Sequence, residues 1–164
     1  MSDFVEVARQ AFEFLERKYG FSVTEASNEG RSSHVTYVNA ENGVAVKPSY
    51  DAASSFVFVF IYRLVDGHLR ENSFPITDES KITCIDFNDV LPPDQKMKPA
   101  YAYGEDSVFY DEQHGLRSFV NEFAVRLEKF GGPLLRGDFS LMAKAEAIIR
   151  RRADELKQQS RWNR

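Results

Sequence analysis

The stretch Ser55-Phe-Val-Phe-Val-Phe-Ile-Tyr62 decides the fold. Aromatic and β-branched residues alternate along it, which is the period of a strand rather than of a helix. In a strand, Phe56, Phe58, Phe60 and Tyr62 share one face, and Val57, Val59 and Ile61 share the other. Both faces are apolar, whereas a sheet buried on one side alternates apolar with polar residues. The second face therefore needs a cover: a helix, a long loop or another chain.

Strand signals continue on the N-terminal side. Phe21 to Ser27 reads as a strand, followed by the turn Asn28-Glu-Gly-Arg31. His34 to Asn39 follows, with Val35 and Tyr37 on one side. Glu41-Asn42-Gly43 is a hairpin signal, because Asn-Gly tolerates the positive φ of tight turns. Val44 to Tyr50 is the next strand, and Pro48, which cannot donate to a ladder, places that end at an edge or a bulge. The Phe–Val ladder spans 55–65 and ends at Asp66-Gly67, and His68 to Phe74 is a candidate fifth strand. Ile82 to Phe87 fits a strand or a helix equally well.

Helical spacing flanks this meander. Residues 2–19 place Phe4, Ala8, Ala11, Phe12, Leu15 and Tyr19 on one stripe, with Ser2 as N-cap, Asp3 in the first turn and Gly20 as the stop. Leu116 to Phe130 aligns Leu116, Phe119, Val120, Phe123, Leu127 and Phe130, and Gly131-Gly-Pro133 ends it. Leu134 and Leu135 read as buried. Asp138 caps a last helix, Phe139 to about Gln159, whose stripe is Leu141, Met142, Ala145, Ile148, Ile149 and Leu156. A run of strands followed by a run of helices gives an α+β domain: an antiparallel meander of four to six strands with an N-terminal helix and two C-terminal helices packed on it. Its 164 residues fit a single domain, 1–164.

The composition is that of a globular chain, 43% apolar and 28% charged, with 14 Phe residues. Cys84 is the only cysteine, so no intrachain disulfide forms, and it reads as a small buried hydrophobe in a reducing compartment. The N-terminus has no signal-peptide pattern, and the longest apolar run is far below the ~20 residues of a membrane helix. A cytoplasmic protein is expected.

Catalytic signatures are missing from the sequence. No Gly-rich phosphate loop ending in Gly-Lys-Ser/Thr occurs, nor His-Glu-x-x-His or Cys-x-x-Cys. His34, His68 and His114 lie in three separate segments, and Ser32 and Ser33 are not in a nucleophile elbow. The acid pairs Asp78/Glu79, Glu105/Asp106 and Asp111/Glu112 sit in polar stretches that solvate carboxylates rather than perturb them. These readings lead to no catalytic residue, cofactor or metal site, and leave a small hydrolase using the histidines as the weakest reading.

Charge is unevenly distributed. Residues 1–115 hold 19 acids against 10 bases (net −9), and residues 116–164 hold 6 against 11 (net +5), for a chain total of −4. Two explanations fit: a charged interaction surface, or a basic helix lying against an acidic sheet domain. The acids concentrate at Asp78, Glu79, Asp86, Asp89, Asp94, Glu105, Asp106, Asp111 and Glu112, with Tyr101, Tyr103 and Tyr110 among them. Tyrosine offers large contact area with a polar tip, and an acidic tyrosine-bearing surface steers a basic partner. These twelve residues are the candidate partner-binding set. The tract Arg150-Arg-Arg152 with Lys157, Arg161 and Arg164 has acids interspersed and reads as a solvated face rather than a nucleic-acid site. Trp162 in this polar tail either pins the C-terminus or enters an oligomer contact.

Three segments carry a resemblance: Leu15-x-x-x-Tyr-Gly-Phe21, Val35-x-Tyr-x-Asn39 with Val44-x-Val-x-x-x-Tyr-Asp51, and Leu134-Leu-Arg-Gly-Asp-Phe139. Together they resemble a group of small bacterial α+β proteins, some of which look like immunity proteins of polymorphic toxin systems. The similarity covers residues 12–65 and 116–142 and consists of turns and core positions, so no functional residue transfers from it. The resemblance implies a non-catalytic protein that neutralises a cognate toxin by covering it. The alternative is a homo-oligomeric structural or adaptor module, with the second face of the ladder buried in a homodimer.

Overall fold

The computed structural model describes residues 3–111 and 114–162. Five antiparallel strands form one sheet in sequence order: β1 (Ser22–Glu29), β2 (Ser32–Asn39), β3 (Val44–Asp51), β4 (Phe56–Arg63) and β5 (Cys84–Asp86). Five helices accompany them: α1 (Phe4–Ala11), α2 (Glu13–Tyr19), α3 (Gly115–Phe130), the short α4 (Gly132–Leu135) and α5 (Ser140–Trp162). The expected α+β meander is therefore present, with β4 pairing along its whole length with β3.

Several details differ from the sequence reading. The N-terminal helix is broken at Phe12, whose φ of −98° and ψ of 14° leave helical geometry. The break lets the fully buried Phe12 ring sit beside Tyr37, at 6.5 Å between centroids, while α1 and α2 each keep their apolar residues on the sheet. Ser2 lies outside the described residues; Asp3 is the cap, its Oδ1 accepting from Val5 N at 2.9 Å. Gly20 closes α2 at φ 71°, a conformation that costs glycine little. Pro48 is not at an edge, because β3 is the middle strand. Its missing N–H is absorbed by a local lapse in the β2–β3 pairing between His34↔Ser49 and Tyr37↔Val46, while the β3–β4 pairing runs on through Pro48↔Val59. The fifth strand is Cys84–Asp86, not His68–Phe74; His68 instead closes a tight turn with Val65.

Alternation along β4 sets the layers. Val57, Val59 and Ile61 are buried beneath the helices in one core with Val35, Tyr37, Val46, Phe87, Phe119, Phe123, Leu127, Leu134 and Leu135. Tyr62, on the opposite face, is covered by a second small cluster of Ala45, Cys84, Leu64 and Leu69, contributed partly by the loop after β4. Phe56, Phe58 and Phe60 stay partly exposed on that face. They lean on one another instead, with Phe56–Phe58 edge-on at 5.9 Å and Phe58–Phe60 stacked at 5.4 Å.

Candidate interaction surface

The segment from Phe87 to Tyr110 is built of short 3-10 turns, at Phe87–Val90, Pro93–Gln95, Ala100–Tyr103 and Val108–Tyr110. Side chains hold it in place of a sheet ladder. Asn88 acts as a surrogate backbone partner, accepting from Met97 N at 2.8 Å and donating to Met97 O at 3.0 Å. Arg126 of α3 donates to Gln95 O at 2.9 Å. Tyr103, Phe109, Phe119 and Phe123 form a chain of edge-on rings, with centroids 4.9, 5.2 and 5.4 Å apart. Gly115 opens α3 directly under this segment, where a Cβ would lie 2.4 Å from Phe109 O, so only glycine fits the contact.

The twelve candidate residues separate into groups. Tyr101, Tyr103, Glu105, Asp106, Tyr110 and Asp111 are exposed along one strip, residues 101–111. Tyr101 extends the strip onto the open sheet face by packing on Phe56 at 6.3 Å. Asp111 Oδ1 accepts from His114 N at 2.6 Å, which fixes the far end of the strip to the start of α3. Glu112 lies outside the described residues. Asp94 is exposed on the Pro93–Gln95 turn. Asp78 and Glu79 are exposed on a different corner, in a loop that Arg150 of α5 clamps by donating to Thr77 O at 2.9 Å and Ser80 O at 2.5 Å.

Asp89 leaves the surface set, and Asp86 is half-buried. Asp89 is 6% exposed and forms a two-pronged ion pair with Arg152 of α5, at 2.8 and 2.9 Å. Asp86 caps the Phe87–Val90 turn, accepting from Asn88 N at 3.0 Å. Burial pushes its carboxyl up to about 6, and the Asn88 N–H opposes that shift. Arg152 thus joins α5 to one acid outside the helix, while Arg150 holds the backbone carbonyls of the 77–80 loop and pairs with Glu146 of its own helix. A sequence signal existed at Asp89, which is bracketed by the apolar Phe87, Val90 and Leu91.

A cleft of about 630 Å³ opens beside the strip. Phe4, Tyr50, Val57, Phe109 and Phe119 line it, with Asp3 and Asp111 also on its walls. Phe4 stacks on Tyr50 at 5.7 Å along one side. No sequence pattern marks it, because its walls come from five separated segments.

The remaining reactive groups are dispersed. His34 sits on β2, with Nε2 3.4 Å from Glu25 Oε2 but without a hydrogen bond. His68 is in the turn after β4, and His114 precedes α3. Desolvation pushes the buried Cys84 thiol up to about 12, which leaves it protonated at neutral pH. Among the described residues no three His, Cys, Asp or Glu side chains gather as metal ligands, and no helix is long and apolar enough to cross a membrane. Compared with known proteins, the chain matches no family model, no curated relative and no solved structure.

Proposed function

We propose that this is a non-catalytic cytoplasmic binding protein of the immunity type, which neutralises a basic toxin domain by covering it with the strip Tyr101–Asp111. The observation that supports this most is the join between Tyr101 and Phe56. It makes the acidic tyrosine strip continuous with the partly exposed Phe56–Phe58–Phe60 rings. Exposed aromatic area beside acids supplies both the anchors and the steering of a protein interface. The ring cluster beneath the strip holds it rigid before binding, which lowers the ordering cost of association. The adjacent cleft offers an apolar seat for one anchoring side chain of the partner. The resemblance to immunity proteins points to a toxin as the partner, and a nuclease, whose cleft is positive, is the natural class.

The product of the neighbouring gene is the first partner to test, by isolating a stable complex. Glu105→Lys with Asp106→Lys should slow association at low salt by about tenfold or more, with little change in dissociation. An association rate indifferent both to these substitutions and to salt would remove the strip from the interface.

A further inference from the structure

The cleft beside the 101–111 strip has apolar walls and a rim of one charge. Phe4, Val57, Gly115 and Phe119 are buried at its base, and Tyr50, Phe109 and Leu116 stand half-buried around it. Its volume of about 630 Å³ falls in the range of roughly 300–1,000 Å³ that encloses a whole small ligand, so it holds more than one side chain. Among the described residues the lining has two carboxylates, Asp3 and Asp111, and no lysine, arginine or histidine. Arg31 and Arg117, which follow lining residues in the chain, have other partners: Arg117 donates to Gln10, and the charge of Arg31 bears on Asp51.

The chain holds both carboxylates in place. Val5 N and Asn28 Nδ2 donate to Asp3 Oδ1 at 2.9 and 2.7 Å, so neither bond uses Oδ2. His114 N donates to Asp111 Oδ1 at 2.6 Å, and His114 Nδ1 lies 3.1 Å from the same oxygen. A neutral apolar guest would strip water from these acids without pairing them, and an acidic guest would be repelled. A guest with an apolar stem and a cationic head suits both the rings and the carboxylates. Arginine suits them better than lysine, because its flat guanidinium stacks on ring faces and forks onto carboxylate oxygens.

We infer that this cleft seats an arginine of the partner together with the residues on either side of it, the stem against Phe4, Tyr50 and Phe119 and the guanidinium held by Asp3 and Asp111. A chain segment is favoured over a free cation for two reasons. The cleft has room for more than the side chain, and it adjoins the docking strip, since Phe109 and Asp111 belong to both. That a partner exists rests on the proposed toxin binding, whereas the chemistry of the seat is a property of this chain.

Amide NMR titration of the full chain at about pH 8 tests this with acetyl-Leu-Arg-Leu-amide and its citrulline counterpart, which keeps the shape and loses the charge. The arginine peptide should saturate with a Kd of about 1–10 mM and shift Asn28, Gly30, Ala52 and Leu116. The citrulline peptide should bind at least about fivefold more weakly. Asp3→Asn with Asp111→Asn keeps both capping acceptors and should erase that difference. Butylguanidine, the head and stem without a backbone, should bind at least about tenfold more weakly than the arginine peptide. Equal binding of the two peptides overturns the inference, as does a preference that survives the double substitution. So do shifts that spare the cleft or never saturate. Butylguanidine binding as tightly as the peptide overturns it too, because the site would then take a free cation. Glu105 and Asp106 do not line the cleft and these probes need no toxin, so the association test of the strip and this one fail or survive independently.

Discussion

The helix side of β4 and the region around β5 are held by different means. On the helix side, Val57, Val59 and Ile61 are sealed in one continuous apolar core. Around β5 the sheet is only three residues wide, and polar staples take over. Asn72 accepts from Thr83 N and Cys84 N, at 2.9 and 3.1 Å, and donates to Cys84 O at 2.7 Å. Tyr62 donates to Glu71 at 2.7 Å, Asn88 brackets Met97, and Asp89 grips Arg152. Packing needs only volume and apolarity, whereas each staple needs two particular residues. The apolar core still takes in Ile85, Phe87, Val90 and Leu91 here, and the staples add specificity to that area.

The contrast can be broken at graded cost. Ile61→Ala attacks the packed side and should destabilise by about 3–4 kcal/mol, read by urea denaturation. Arg152→Ala attacks a staple. It strands the Asp89 carboxylate in a buried site and should cost about 2–3 kcal/mol, less than a fully buried pair because Arg152 is half exposed. Double substitution with Asp89→Asn should recover part of that loss.

Asp86→Asn sharpens the comparison in the opposite direction. The folded carboxyl sits near 6, above its usual 3.8. Between these values the folded state holds a proton that the unfolded chain has released. The contribution of this group is therefore greatest below pH 4 and is lost as pH rises through 6. Asparagine keeps the acceptor for Asn88 N, so the variant should gain about 1–2 kcal/mol at pH 7 and show a flatter stability profile between pH 4 and 6. The smallest effect belongs to the open sheet face. Phe58→Ser should change stability by no more than about 1 kcal/mol in thermal melts, yet weaken partner binding, because its ring is only partly covered.

Legibility in the sequence follows the same division. Strands β1 to β4, the stripe of α3 and the buried Leu134–Leu135 pair were readable because periodicity reports apolar packing. What failed was long-range and polar. Three residues are too few for a period, so Ile82–Phe87 fits strand and helix alike; β5 lies within it at Cys84–Asp86, and His68–Phe74 is not a strand. Pro48 misled because its lost hydrogen bond is confined to one side of the middle strand. Asp89 reads as one more exposed acid, since a carboxylate defaults to water until its partner is known. That partner lies 63 residues away for Asp89. The strip itself was legible as a cluster of tyrosines and acids, while its join to Phe56 required the fold.

The Asp89–Arg152 grip also orders events during synthesis. At roughly 5–20 residues per second, Arg152 is joined about 3–13 s after Asp89. For that interval the growing chain holds an aspartate whose counter-charge does not yet exist, next to Phe87, Val90 and Leu91, which are ready to collapse. Sealing Asp89 in the Phe87–Val90 turn without its guanidinium would carry the cost of an unpaired buried charge. That pair can form only once α5 has been synthesised, so the turn after β5 and the last helix are joined late.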